Sequence, residues 1–176
     1  MPSTHTLDRV LTEAMAAAPD KSPIVAWREG EIRRYRDRLF VMHPKRADLF
    51  DPGRVIPWTE ASMLILPDGN GRLRAEPGDG PGLDPVSWQA GRREIRYRRG
   101  GETCKLPGRV GTRCLKKLFQ EHCVPDWVRP RVPLIYVDGR LAAVANFWVC
   151  AEFAAETGAP AVAILWDDNG LTTLTD

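Results

Sequence analysis

The chain has 176 residues, 43% of them hydrophobic, enough for one buried core or for one domain plus part of another. No run approaches the ~18 apolar residues of a membrane span, and the opening MPSTHTLDRVL has no secretory pattern, so a cytoplasmic protein with no membrane partner is expected. Net charge is only +2, but over residues 89–131 twelve Lys/Arg face four acids, which leaves +8 there, −6 elsewhere, and points to a polyanion.

Leu7, Val10, Leu11, Ala14, Met15 and Ala18 recur at helical spacing and predict an amphipathic helix ending near Pro19. It is too short to bury its face alone, so it must pack on something. Residues 24–27 and 32–35, separated by Arg28-Glu29-Gly30-Glu31, predict a β-hairpin, and residues 38–42 a further strand. Residues 44–53 read as a linker. Short strands are expected at 55–58, 63–66 and 72–75, the last two around the turn signal Pro67-Asp68-Gly69-Asn70-Gly71. The Gly- and Pro-dense residues 76–85 should form an exposed loop, followed by strands at 86–88 and 94–98. Residues 134–137 and 140–145 predict a tight hairpin, because Asp138-Gly139 accepts the positive φ that such a turn needs. Residues 147–149 should extend its second strand, residues 151–157 read as a helical turn stopped by Gly158, residues 161–166 as a buried strand, and residues 169–176 as a frayed tail.

The most informative stretch is residues 105–127, KLPGRVGTRCLKKLFQEHCVPDW. After the loop Pro107-Gly108-Arg109-Val110-Gly111, Thr112 is expected to cap a helix. Leu115, Leu118, Phe119 and His122 fall on one helical face, while Arg113, Lys116, Lys117 and Gln120 lie off it. Pro125 ends the helix. Cations at a helix start, entered through glycines, describe a place to hold phosphate. The candidate phosphate contacts are Arg109, Arg113, Lys116 and Lys117, with Lys105, Arg129 and Arg131 in a second rank. Trp88, Trp148 and Trp166 are expected in the core, and Trp127 under the helix, with stacking on a base as its alternative.

Catalytic chemistry is not visible. The motifs G-x-x-x-x-G-K-[ST], G-x-S-x-G and H-E-x-x-H do not occur. His122 reads as a partly buried packing residue, and Asp48, Asp51, Asp167 and Asp168 as solvated loop acids. Cys104, Cys114, Cys123 and Cys150 lack C-x-x-C spacing and are expected to be thiols rather than zinc ligands. No catalytic residue and no metal ligand is therefore assigned. Gly108 and Gly111 also match the bare G-x-x-G of KH domains, but their flanks do not read as that fold.

Taken in order, the Gly/Arg loop at 108–111, Leu115-Lys116-Lys117, the V-P-x-W-x-R segment at 124–129, Pro133-Leu134 and the apolar strand at 141–149 form a recognisable set. It resembles the C-terminal domain of bacterial tRNA(Ile)-lysidine synthetases, and EIRRYRDRLF at 31–40 resembles the end of that family's tRNA-binding domain. The resemblance implies an α+β fold, a small mixed β-sheet sandwich with one or two helices after a short helical stub. A related module is suspected in the large subunit of phenylalanyl-tRNA synthetase. The implied organisation is 1–43 tail of the preceding tRNA-binding domain, 44–53 linker, 54–168 C-terminal tRNA-recognition domain and 169–176 tail. The implied role is to grip the body and acceptor stem of tRNA(Ile) with the CAU anticodon. An N-terminal catalytic domain, carrying a Ser-Gly-Gly-x-Asp-Ser loop that this sequence lacks, would use ATP and Mg to join lysine to the wobble cytidine. No cofactor is expected in this chain itself, which would be an excised fragment or a free-standing relative. The alternative is a protein-interaction module docking its basic face on an acidic partner or on the catalytic domain.

Overall fold

The computed structural model describes residues 3–16, 18, 23–42, 50–60 and 62–168. The linker positions 44–49 and the tail 169–176 lie outside them. The described residues up to Phe50 form one compact unit, and Asp51–Asp168 a second. Helices are few and every ladder is antiparallel, an α+β architecture. No helix among the described residues is long and apolar enough to cross a membrane.

In the first unit, α1 (Thr4–Arg9) runs straight into a π-helical turn, Val10–Met15. Ser3 caps α1, its hydroxyl accepting from the Thr6 N–H at 3.2 Å. Strands β1 (Ile24–Trp27), β2 (Gly30–Tyr35) and β3 (Arg38–Met42) form one sheet in that order. Of the expected apolar helix face, Val10 and Ala14 are buried with Val25, backed by Ile32 and Leu39, whereas Leu7, Leu11 and Met15 stay exposed. The Arg34 guanidinium donates to the carbonyls of Ala14 and Met15 at 3.3 and 3.0 Å, which closes the end of the helical segment.

The second unit is built on a five-stranded sheet. Its strands are β4 (Ile56–Pro57), β7 (Arg93–Arg96), β10 (Leu134–Val137), β11 (Arg140–Val144) and β12 (Trp148–Val149), in spatial order β12-β11-β10-β7-β4. Beside it, β5 (Met63–Ile65), β6 (Arg72–Gly78) and β13 (Ala161–Asp167) make a three-stranded sheet ordered β13-β6-β5, and β8 (Thr103–Cys104) with β9 (Arg113–Cys114) makes a short ribbon. Ile95, Leu134, Ile135, Ala142, Ala143 and Val144 are fully buried and form the heart of the larger sheet. The turn Asp138-Gly139 has φ of +49° and +76°, as the sequence implies.

Four expectations are corrected. Residues 86–88 are not a strand but part of helix α2 (Pro85–Ala90). The Asp84 carboxylate accepts from the Ser87 N–H and hydroxyl at 2.9 and 2.7 Å, and Pro85 occupies the first helical position, where its missing N–H costs nothing. These two bonds, the hydroxyl's first, hold the Asp84 carboxyl below the usual carboxylate range. Residues 76–78 are not loop; β6 continues through Pro77. The Ala75 N–H donates to Ser62 at 2.8 Å, so Pro77, of the same parity, faces an edge where β5 has already ended, and no donor is needed. Residues 147–149 do not extend β11 but turn back, β12 pairing Val149 with Ala143 and Trp148 with Val144. Residues 151–157 form turns and a bridge, Ala154 to Leu83, rather than a helical turn. The strand at 161–166 is found, with Ala161, Ile164 and Trp166 buried.

Candidate nucleic-acid interface

The loop 105–112 is the tip of the β8–β9 ribbon. Thr103 pairs with Cys114, Cys104 with Arg113, and the Leu115 N–H donates to Glu102 at 2.9 Å. Gly108 and Gly111 hold φ of +68° and +82°, values that L side chains rarely adopt, and this lets the loop fold back over a turn closed by the Arg109 N–H on Leu106 at 3.2 Å. The tip projects: Val110 is 101% exposed, and Lys105, Arg109 and Thr112 are exposed beside it.

Helix α3 (Leu115–Glu121) follows at once, so Lys116 and Lys117 sit in its first turn and are exposed. Thr112 is not its cap. Cys114 occupies that position without a side-chain bond, because β9 takes up residues 113–114 before the helix can begin. Leu115, Leu118 and Phe119 are fully buried, Phe119 lying 5.2 Å from the Trp148 ring and 5.9 Å from Phe147. His122 is more exposed than expected, though its ring meets Trp148 edge-on at 4.9 Å. The helix ends with Cys123 at φ +56°, where the Val124 N–H reaches Phe119 at 2.9 Å and the Cys123 N–H reaches Gln120 at 3.2 Å. That is the Schellman arrangement, with cysteine in the place glycine usually takes.

The seven candidate cations do not share one fate. Lys105, Arg109, Lys116 and Lys117 make no ion pair with a described residue. Arg113 is exposed but forks onto both carboxylate oxygens of Glu121 at 2.9 and 3.0 Å. Arg129 is half-buried, its Nε donating to the Val124 carbonyl at 2.8 Å. Arg131 departs from expectation outright, being 6% exposed inside the 3-10 turn Arg129–Arg131. Its carbonyl accepts from buried Asn70 at 2.9 Å, which also donates to the Tyr97 hydroxyl at 3.2 Å. Burial pushes the Tyr97 phenol up. Trp88, Trp148 and Trp166 are buried as expected, and Trp127 is half-buried.

A second correction concerns cysteine. Cys104 and Cys150 are not idle thiols but a disulfide, their Cα atoms 5.4 Å apart. With the Ala151 N–H on the Lys105 carbonyl at 2.7 Å, it ties the foot of the ribbon to the segment after β12. Cys114 and Cys123 take no part in a disulfide. Sequence reasoning also missed Glu121 as the partner of Arg113; eight residues is not a helical repeat, and only the turn of chain from β9 into α3 brings them together.

Comparison with known proteins matches this framework at two places. The family described as the TilS substrate C-terminal domain matches residues 94–166, and the TilS substrate binding domain matches residues 1–40. The chain belongs to the TilS family. A tRNA(Ile)-lysidine synthase of Methylococcus capsulatus is 44% identical over 160 residues, covering 90% of this chain and 35% of the relative. Those of Coxiella burnetii and Legionella pneumophila strain Paris are each 35% identical, covering 89% and 87% of this chain. The chain thus spans about a third of the length of these relatives, 34–35%. A crystal structure of a TilS C-terminal domain superposes with a TM-score of 0.52 at 24% identity, covering 65% of this chain and 98% of that one, and so shares the fold.

Proposed function

We propose that this chain is the part of a tRNA(Ile)-lysidine synthase that holds the tRNA. The observation that carries the reading is the projecting ribbon tip followed directly by the outer face of α3. Together they present Lys105, Arg109, Arg113, Lys116 and Lys117 to solvent in one short stretch. These five are the proposed contacts to the phosphates of an A-form stem. Arg129 is an outlying candidate and buried Arg131 a structural residue. Duplex RNA hides its base edges in a deep, narrow groove, so such a grip works through shape, phosphates and 2′-hydroxyls. The family membership of both units supports the reading, and the comparisons give no support to a protein-docking module.

In the whole enzyme the proposed substrate is tRNA(Ile) with the CAU anticodon. Lysine would be joined to its wobble cytidine at the expense of ATP, in the cytoplasm. ATP and Mg are assigned to the catalytic portion, since the Ser-Gly-Gly-x-Asp-Ser loop does not occur in this sequence. On the same reading, residues 1–43 are the end of a tRNA-binding domain and residues 54–168 a recognition domain. With about five phosphates neutralised, the logarithm of affinity should fall with the logarithm of salt at a slope of about −3 to −5. Reversing Arg113, Lys116 and Lys117 to Glu together should weaken tRNA binding at least about a hundredfold, read by filter binding at fixed salt. A triple variant that binds as wild type removes the proposed site.

A further inference from the structure

We infer that the second unit also carries a pocket for one unstacked nucleobase, on the inner side of the same loop; this rests on the reading of the chain as an RNA grip. A cleft of about 650 Å³ opens along the outer edge of β13. Leu106, Pro107 and Arg109 of the ribbon tip form one wall, so the loop that offers a cation to solvent also lines this cavity. Phe147, half-buried, brings an aromatic face, and the exposed carboxylates Asp79 and Glu156 stand on the lining.

The floor decides what the cleft can take. In an antiparallel ladder, alternate residues direct their N–H and C=O to opposite edges. Ala75 addresses β5, through its N–H on Ser62, so its partner Ile164 addresses the cleft. On that edge Val162 exchanges bonds of 2.8 and 2.9 Å with Leu83. The approach requires Gly82, since a Cβ there would lie 2.7 Å from the Val162 carbonyl oxygen. Four residues beyond Val162, the Asn146 amide clasps Trp166, its Nδ2 donating to the carbonyl at 3.0 Å and its Oδ1 accepting from the N–H. Between these closures Ile164 offers one N–H and one C=O, and no described residue takes either. Such a pair needs a partner when water leaves. An extended peptide would need several open residues in a row. The edge of a nucleobase needs one acceptor–donor pair, presents a flat apolar face to Phe147, and carries its phosphate toward Arg109. The two carboxylates accept from an exocyclic amine or a ribose hydroxyl. The base must come from an unpaired strand, because duplex RNA keeps its bases stacked.

The test uses the full chain and three RNA hairpins sharing one stem: blunt, with a short unpaired 3′ tail, and with an abasic tail of the same length. The tailed hairpin should bind about tenfold tighter than the blunt one, and the abasic tail should gain little. Ala155→Phe, which fills the cleft, should abolish the gain and leave blunt binding as in wild type. If that variant fails to fold, Ile164→Pro removes the cleft-facing N–H at a position where an edge strand accepts proline, and should likewise erase the gain. Equal binding of tailed and blunt hairpins, an abasic tail as good as a real one, or a gain kept in the folded variants overturns the pocket alone. Binding of no hairpin overturns the RNA grip and the pocket with it.

Discussion

Residues 92–99 and residues 105–117 are both strongly basic, yet the fold uses them in opposite ways. In the first stretch most of the charge is spent internally, Arg92, its side chain 81% exposed, being the exception. Arg93 lies 4.8 Å over the Trp88 ring and Arg96 4.4 Å over Tyr136. Arg96 also binds Glu94, Arg98 faces Glu102 at 3.8 Å, and Arg99 donates to the Gly53 carbonyl at 2.7 Å. Tyr136 is pushed up, first by its burial. In the second stretch, Lys105, Arg109, Lys116 and Lys117 have no such partner among the described residues. The difference is one of setting. A strand packed among acids and aromatics neutralises its arginines, whereas a glycine-turned tip and an outer helix face leave theirs to solvent. A count of cations therefore overstates what a polyanion meets, and their placement decides.

The comparison can be broken first at the seating of the second stretch. Phe119 is fully buried beneath α3, so Phe119→Ala should lower unfolding free energy by about 3–5 kcal/mol, measured by urea denaturation, and should blunt tRNA binding with it. Arg96→Gln tests the other stretch. It should cost about 2 kcal/mol by leaving Glu94 poorly matched, yet leave tRNA affinity within about twofold. A large loss of affinity there would mean that the internal arginines are not spent after all. Cys123→Gly relieves a left-handed backbone and should raise stability by about 0.5–1 kcal/mol without touching either set. The smallest effect belongs to Glu121→Gln. Freed of its carboxylate, Arg113 should bind tRNA about two- to threefold tighter, with a stability change below about 0.5 kcal/mol.

Much of the fold was legible because it is locally encoded. Short apolar runs placed β1, β3, β10, β11 and β13, and Asp138-Gly139 announced its turn. The strand expected at Val86-Ser87-Trp88 rested on β-prone residues, whereas Asp84 and Pro85 start α2 there and leave Val86 73% exposed. Other features depend on partners far along the chain. The reversal into β12 is held by Asn146 on Trp166, twenty residues on, and the disulfide joins cysteines 46 apart. Buried Arg131 is likewise met from sixty-one residues earlier, its carbonyl accepting from Asn70. The cationic character of the interface was readable from residue types. Which cations stay available was not, because that turns on contacts no local pattern records.

The closures at Val162 and Trp166 have a colloidal consequence. A bare outer strand invites a second molecule to zip onto it, and seams of that kind seed aggregates. Here Leu83 and Asn146 interrupt the seam on either side of Ile164, leaving a gap too brief to template another chain. Along β13, then, a single backbone pair can stay open without offering a continuous seam.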